Sequence, residues 1–179
     1  MSRNLTNPPP APPVRPGRED AVAVVAFGAN LGDRQATIRH AAERIGRLPL
    51  VSEVRLSELF ETVALRLDGP DPDAPGYVNA VALVTTQLAP EILLGMLHAI
   101  EDENGRVRHE RWGDRTLDLD LIAYGDVTSV DERLQLPHPR AAERLFVLEP
   151  WLTLDPEAEL VGHGRVADLA TRLRAQDAV

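Results

Sequence analysis

The sequence contains no cysteine. Disulfide frameworks, cysteine metal sites and thiol nucleophiles are thereby excluded. It contains no lysine either, since all 19 basic residues are arginine. A Walker-type phosphate loop needs its lysine, and so does Schiff-base chemistry, so both are ruled out. Aromatic residues make up only 4% of the chain: two Trp, two Tyr and three Phe. No apolar run approaches the roughly 18 residues that cross a bilayer. The N-terminus carries no apolar segment of the secretory kind. Together these set the expectation of a cytoplasmic protein that does not engage membranes. Positive charge is also in short supply, with 19 arginines against 28 acids, a net charge of −9 and a pI near 5.0. Surfaces built for nucleic-acid backbones are normally basic, so that partner class is disfavoured.

What remains is a chain of 179 residues, 44% hydrophobic and 26% charged, enough for one domain with its own core. Residues 1–20 are rich in Pro, Arg and Asn and bury too little to offset their ordering entropy. They read as a disordered or polyproline-like tail, followed by a single domain over 21–179.

The patterning predicts the following elements. Ala21–Gly28 is a short apolar strand stopped by Gly28 and Asn30. Asp33 caps a helix to about Arg47, with Ile38, Ala41, Ala42 and Ile45 on one face. Val51–Thr62 is a longer strand. Leu65–Gly76 holds three Pro, two Gly and three Asp and reads as a loop. Tyr77–Gln87 is a strand, and Pro90 starts a helix over Glu91–Glu103 that Asn104-Gly105 ends. After a polar stretch come a strand over Thr116–Tyr124 and a hairpin return over Val127–Leu136. A Pro-His-Pro turn, a short helix over Ala141–Leu152 and a terminal helix over Arg165–Arg174 follow. The order β-α-β-β-α-β is the split βαβ of an α+β, ferredoxin-like sandwich, with helices on one face of a mainly antiparallel sheet.

The sharpest chemical signal is Asp118-Leu119-Asp120. On a strand the two carboxylates share a face, roughly 7 Å apart by the strand rise, while Leu117, Leu119 and Leu121 point the other way. Two such acids repel unless a cation sits between them, and Mg²⁺ is the natural occupant. Alone, such a pair is more often two solvated acids than a metal site. The segment just upstream, Gly105–Arg115, adds Arg106, Arg108, Arg111 and Arg115. Arginine forks grip phosphate bidentately, and metal opposite arginine suits a polyphosphate. Against this stands a charged loop paired with Glu101, Asp102, Glu103 and Glu110. Tyr77, Trp112 and Phe146 fall beside these elements and can stack a planar ligand or simply pack. Asn79, on the Tyr77 face, offers donor and acceptor to a heterocycle edge. His138 sits in a rigid turn.

Several blocks in order, FGANLGDR (27–34), SELFET (57–62), YVNAVA (77–82), the 100–125 stretch containing RWGDRTLDLDLIAYG, and LPHPRAAERLFVLEP (136–150), resemble the 6-hydroxymethyl-7,8-dihydropterin pyrophosphokinases. The likeness covers about Val22 to Pro156. It implies transfer of the β,γ-pyrophosphoryl group of ATP to the pterin hydroxymethyl oxygen, releasing AMP, in folate biosynthesis. It implies two Mg²⁺ ions on Asp118 and Asp120, with Arg106 and Arg115 serving catalysis beside them. Glu101, Arg106, Arg108, Trp112, Arg115, Leu121, Arg133, His138 and Arg144 would line ATP. Thr62, Val63, Leu65, Tyr77, Asn79, Trp112 and Phe146 would hold the pterin. The expected form is a monomer. The chain departs from the family at Thr62-Val63-Ala64-Leu65, which lacks the usual Pro and Gly, and at Ala29, His109 and Asp114. Other readings are another Mg²⁺-dependent phosphate-ester enzyme or a non-catalytic ferredoxin-like binding module.

Overall fold

A computed structural model describes residues 20–62, 64–66, 69–71, 76–104 and 116–177, with backbone alone at 64–66, 69–71 and 177. The proposed tail falls almost wholly outside the described residues, as does the arginine-rich stretch 105–115.

Strand β1 (Ala21–Ala29) runs through Gly28 rather than stopping there. Helix α1 (Arg34–Gly46) begins at Asp33, whose side chain accepts from the Ala36 N–H at 3.0 Å, and it buries Ile38, Ala41, Ala42 and Ile45, the face expected. The expected long strand divides into β2 (Val51–Leu56) and β3 (Phe60–Thr62). The cause is Ser57. Its N–H donates to the Val81 carbonyl at 2.9 Å, and its hydroxyl accepts from the Val81 N–H at 3.0 Å, so a side chain closes the ladder where the strand breaks. Ser57→Ala leaves that buried N–H without its acceptor. The expected cost is about 1–3 kcal/mol of stability, read as a lower denaturant midpoint at unchanged slope.

The stretch read as a loop contains a small hairpin, β4 (Ala64–Arg66) with β5 (Gly69–Asp71). Strand β6 (Tyr77–Thr86) and helix α2 (Pro90–Glu103) follow, then β7 (Asp118–Tyr124). A second hairpin, β8 (Ser129–Asp131) with β9 (Leu134–Leu136), leads to a 3-10 turn at Ala141–Glu143 and to helix α3 (Leu145–Leu154). The pair β10 (Glu159–Leu160) and β11 (Gly164–Arg165) precedes helix α4 (Val166–Asp177).

The main sheet has the order β2-β6-β1-β7, with β3 also on β6, and every pairing in it is antiparallel. On one face Ala23, Val25, Phe27 and Ala29 join Ile38, Ile45, Leu93, Leu97 and Ile100 of α1 and α2. The opposite face is not bare, as a sheet with helices on one side only would have it. Val24, Ala26, Val81 and Leu83 pack there against Val147, Leu148 and Trp151 of α3 and Val166, Leu169 and Ala170 of α4. A strand buried on both faces reads as a continuous apolar run, as Ala21–Phe27 does.

Candidate active site

Antiparallel neighbours that face each other across strands share a side of the sheet. Gly28 pairs with Asn79 on β6 and with Asp118 on β7, and Asn79 pairs with Phe60 on β3. Phe60, Asn79, Gly28 and Asp118 therefore form one row across four strands. The neighbouring row on β1 pairs Ala26 with Val81 and Asp120. Tyr77, two residues before Asn79, pairs with Thr62. Ala26 belongs to the α3 side of the sheet, so both aspartates and Asn79 face that way, while Leu117, Leu119 and Leu121 are buried on the α1–α2 side as expected. Beyond Asp120 the register slips, leaving Ile122 as an extra residue that turns Ala123 onto the α3 side.

Gly28 sits in the row between the amide and the acid. A Cβ built there would lie 3.6 Å from Asn79 Oδ1 and 3.9 Å from Asp118 Cβ. Asn79 is buried, and its Nδ2 donates to Thr62 Oγ1 at 2.8 Å. Its carbonyl oxygen thus lies toward Gly28 and the acids. The N-terminus of α3 supplies the other wall. Arg144 Nη1 lies 3.0 Å from Asp120 Oδ2, and the guanidinium sits over the Phe146 ring, 5.6 Å from its centroid. The two side chains of that ion pair are 18% and 33% exposed, so solvent reaches it.

His138 stands close enough to feel both acids. Burial lowers its pKa; Asp120 acts against this, Arg144 and Arg140 add to it, and Asp118 raises it again. Its Nδ1 accepts from the Arg140 N–H at 3.2 Å, and its own N–H donates to the Ile122 carbonyl at 2.8 Å. Glu101 is fully buried, and Oε1 accepts from the Leu119 N–H at 2.8 Å, so its carboxylate holds β7 from outside the ladder. Arg133 is exposed in the turn between β8 and β9. Leu121 is a core side chain, which leaves only its backbone to meet a ligand.

The structure thus brings Thr62, Tyr77, Asn79, Asp118, Asp120, His138, Arg144 and Phe146 to one region. Arg106, Arg108, Trp112, Arg115 and Val63 lie outside the described residues, and of Leu65 only the backbone is described, within β4. In the sequence Gly28 reads only as the residue that stops the first strand; its place between Asn79 and Asp118 follows from the register.

Two hard oxygen donors on one solvent-reached face suit Mg²⁺, which takes one or two carboxylates and completes its octahedron with water and phosphate oxygens. Among the described residues no group of three or more His, Asp or Glu is placed to hold a metal ion. No helix among the described residues is long and apolar enough to cross a membrane.

The family described as 7,8-dihydro-6-hydroxymethylpterin-pyrophosphokinase (HPPK) matches residues 24–156. The 2-amino-4-hydroxy-6-hydroxymethyldihydropteridine pyrophosphokinase of Pseudomonas aeruginosa is 43% identical over 136 residues, 76% of this chain and 82% of the relative. That of Haemophilus influenzae is 42% identical over 128 residues, 72% of this chain and 78% of the relative. That of Bacillus subtilis is 35% identical over 138 residues, covering 77% and 80%. Among solved structures, Plasmodium falciparum HPPK-DHPS with pteroate superposes with a TM-score of 0.65 at 14% identity, over 93% of this chain and 45% of that one. An HPPK-DHPS in complex with substrates gives 0.63 at 10% identity, over 88% and 44%. At such identities these likenesses speak for the ferredoxin-like fold, and the chain spans less than half of those solved chains. On the sequence matches, the chain belongs to the 7,8-dihydro-6-hydroxymethylpterin-pyrophosphokinase family.

Proposed function

We propose that the row Asn79–Gly28–Asp118 joins two half-sites, a pterin slot over Asn79, Tyr77 and Phe146 and a triphosphate cradle over Asp118 and Asp120. The reaction served is the family's: ATP-dependent transfer of a pyrophosphoryl group to hydroxymethyldihydropterin in folate biosynthesis. The hydroxymethyl oxygen bonds to the β-phosphorus, the bridge to the α-phosphate breaks, and AMP leaves. The observation that carries this reading is the register at Gly28, which puts an amide that reads a heterocycle edge and a carboxylate that holds metal on either side of one residue.

Phosphoryl transfer is mostly positioning and charge neutralisation. Asp118 and Asp120 would hold two Mg²⁺ ions, which would supply charge neutralisation for the triphosphate. Arg144, now on Asp120, has the charge and the fork to move to a phosphate oxygen when the acids are otherwise engaged. Arg106, Arg108 and Arg115 are proposed to grip the same triphosphate, with Trp112 beside them. Leu121 through its backbone, Arg133 and His138 would line the nucleotide. Glu101 would contribute by fixing β7. Tyr77 and Phe146 would cover the two faces of the flat ring, and Thr62 orients the Asn79 amide that meets its edge. Val63 and Leu65 would add contacts there. Residues 21–179 act in this reading as a single domain and a monomer, and work in the cytoplasm beside its ATP.

Incubation of the full chain with MgATP and 6-hydroxymethyl-7,8-dihydropterin is expected to give AMP and a pterin diphosphate in equal amounts. Chromatography with mass detection reads both. ADP or free phosphate as the main product would replace this reading with that of a different Mg²⁺-dependent phosphate enzyme.

A further inference from the structure

The first residue of α1 reaches an element it does not belong to. Arg34 Nη1 donates to the carbonyl oxygen of Gly76, the residue just before β6. Its Nη2 lies 3.7 Å from Glu61 Oε1 on β3. The arginine side chain is 28% exposed and the Glu61 side chain 64%, so the ion pair is screened and the carbonyl contact is the stronger of the two. One guanidinium therefore touches both chain legs at the point where β3 ends and β6 begins.

Gly76 also leaves room that a side chain would fill. A Cβ there would lie 3.0 Å from the Thr62 carbonyl oxygen and 3.7 Å from Arg34 Nη1. The missing side chain lets the start of β6 lie close to the end of β3 beside the guanidinium. Thr62 pairs with Tyr77, and its hydroxyl orients the Asn79 amide at 2.8 Å. A displacement at Gly76 passes to Tyr77 through the next peptide unit and to Asn79 through Thr62. Helix α1 packs on the sheet face opposite the acids, so Arg34 works on this edge through backbone.

We infer that Arg34 is a positioning residue for the pterin half-site: its guanidinium ties the Gly76 carbonyl at the start of β6 to Glu61 on β3 and so fixes the Thr62–Tyr77–Asn79 edge that selects the heterocycle. The inference rests on the pterin slot proposed above. It leaves the nucleotide side alone, since none of the braced residues belongs to β7 or α3. A side-chain donor holding a backbone carbonyl is a charged hydrogen bond, and its loss costs about tenfold in an affinity that depends on it.

The test is calorimetry on the full chain with Mg²⁺. A non-hydrolysable ATP analogue is titrated alone, and 6-hydroxymethyl-7,8-dihydropterin is then titrated in its presence. For Arg34→Ala we expect pterin binding about tenfold weaker, nucleotide binding unchanged, and a rise in KM for pterin larger than the fall in kcat. Arg34→Lys, which keeps one donor, should restore most of the pterin affinity. Gly76→Ala, which pushes on the same Thr62 carbonyl, should weaken pterin binding with the arginine in place. Equal pterin affinity in wild type and Arg34→Ala would overturn the inference, as would equal losses for both ligands, which mark a general packing role. If Arg34→Ala does not fold, Arg34→Gln, which keeps most of the side-chain length and loses the charge, carries the same decision: weaker pterin binding with unchanged nucleotide binding supports the inference and unchanged pterin binding overturns it. A wild type that binds no pterin at all would overturn the slot itself and the inference with it, a result distinct from binding that the variants leave untouched.

Discussion

Asp118→Ala and Asp120→Ala should each lower turnover by at least about a thousandfold, the scale lost when a preorganised charge partner of a transferring phosphoryl group is removed. The fold should survive. Asp118 and Asp120 are only partly buried on β7, and the strand is anchored by Leu117, Leu119 and Leu121 on the other side. Substitutions at such half-exposed positions normally change stability by no more than about 0.5 kcal/mol. Removing Asp120 also releases Arg144, but that guanidinium keeps its place over Phe146 and its access to water. The measurement is initial rate against Mg²⁺ concentration, with thermal melting as the control for folding. Turnover near wild type in either variant would reject the assignment of that carboxylate to the metal. Loss of turnover accompanied by a lowered melting temperature would show instead that the acids hold the fold.

The second large effect concerns Gly28. Alanine places a methyl at ordinary contact distance from Asn79 Oδ1 and Asp118 Cβ, 3.6 Å and 3.9 Å. Turnover in Gly28→Ala should therefore stay within a few fold of wild type. Leucine carries its branched end off the sheet between the amide and the carboxylate, where hydroxymethyl oxygen and β-phosphorus must approach. Reacting atoms need to meet at about 3–3.5 Å, and a displacement of 1 Å can cost a hundredfold, so Gly28→Leu should lose about a hundredfold in kcat. Each ligand should still bind by itself, while the pair should no longer bind together as tightly as the separate affinities suggest. Wild-type turnover with leucine at this position would mean that the two half-sites do not meet over Gly28.

The parts of the fold written in local pattern were legible in the sequence. Asp33 with Ile38, Ala41, Ala42 and Ile45 announces α1, because cap and helical period lie within one segment. Asp118 and Asp120 alternate with leucines, and alternation alone puts both acids on one side of β7. The break between β2 and β3 was not legible, because it depends on a hydroxyl meeting a backbone group of a strand 24 residues on. The hairpin at β4 and β5 hides in a run of Pro, Gly and Asp that carries every sign of a loop. Burial of the second sheet face was partly written in the unbroken apolar run of β1, but which helices cover it depends on α3 and α4, far along the chain. The ion pair of Arg144 with Asp120 joins groups 24 positions apart and has no local trace. The two half-sites were assembled from resemblance; their shared row follows only from register.

Strand β7 is the last in its sheet, and a terminal strand offers its unused backbone groups to any passing segment of like kind. In this chain two of those groups are occupied from within. The Glu101 carboxylate takes the Leu119 N–H, and the His138 N–H takes the Ile122 carbonyl. The consequence is colloidal: at Leu119 and Ile122 an incoming strand finds the backbone already taken, which hinders edge-to-edge polymerisation there without the lysines that commonly guard such margins.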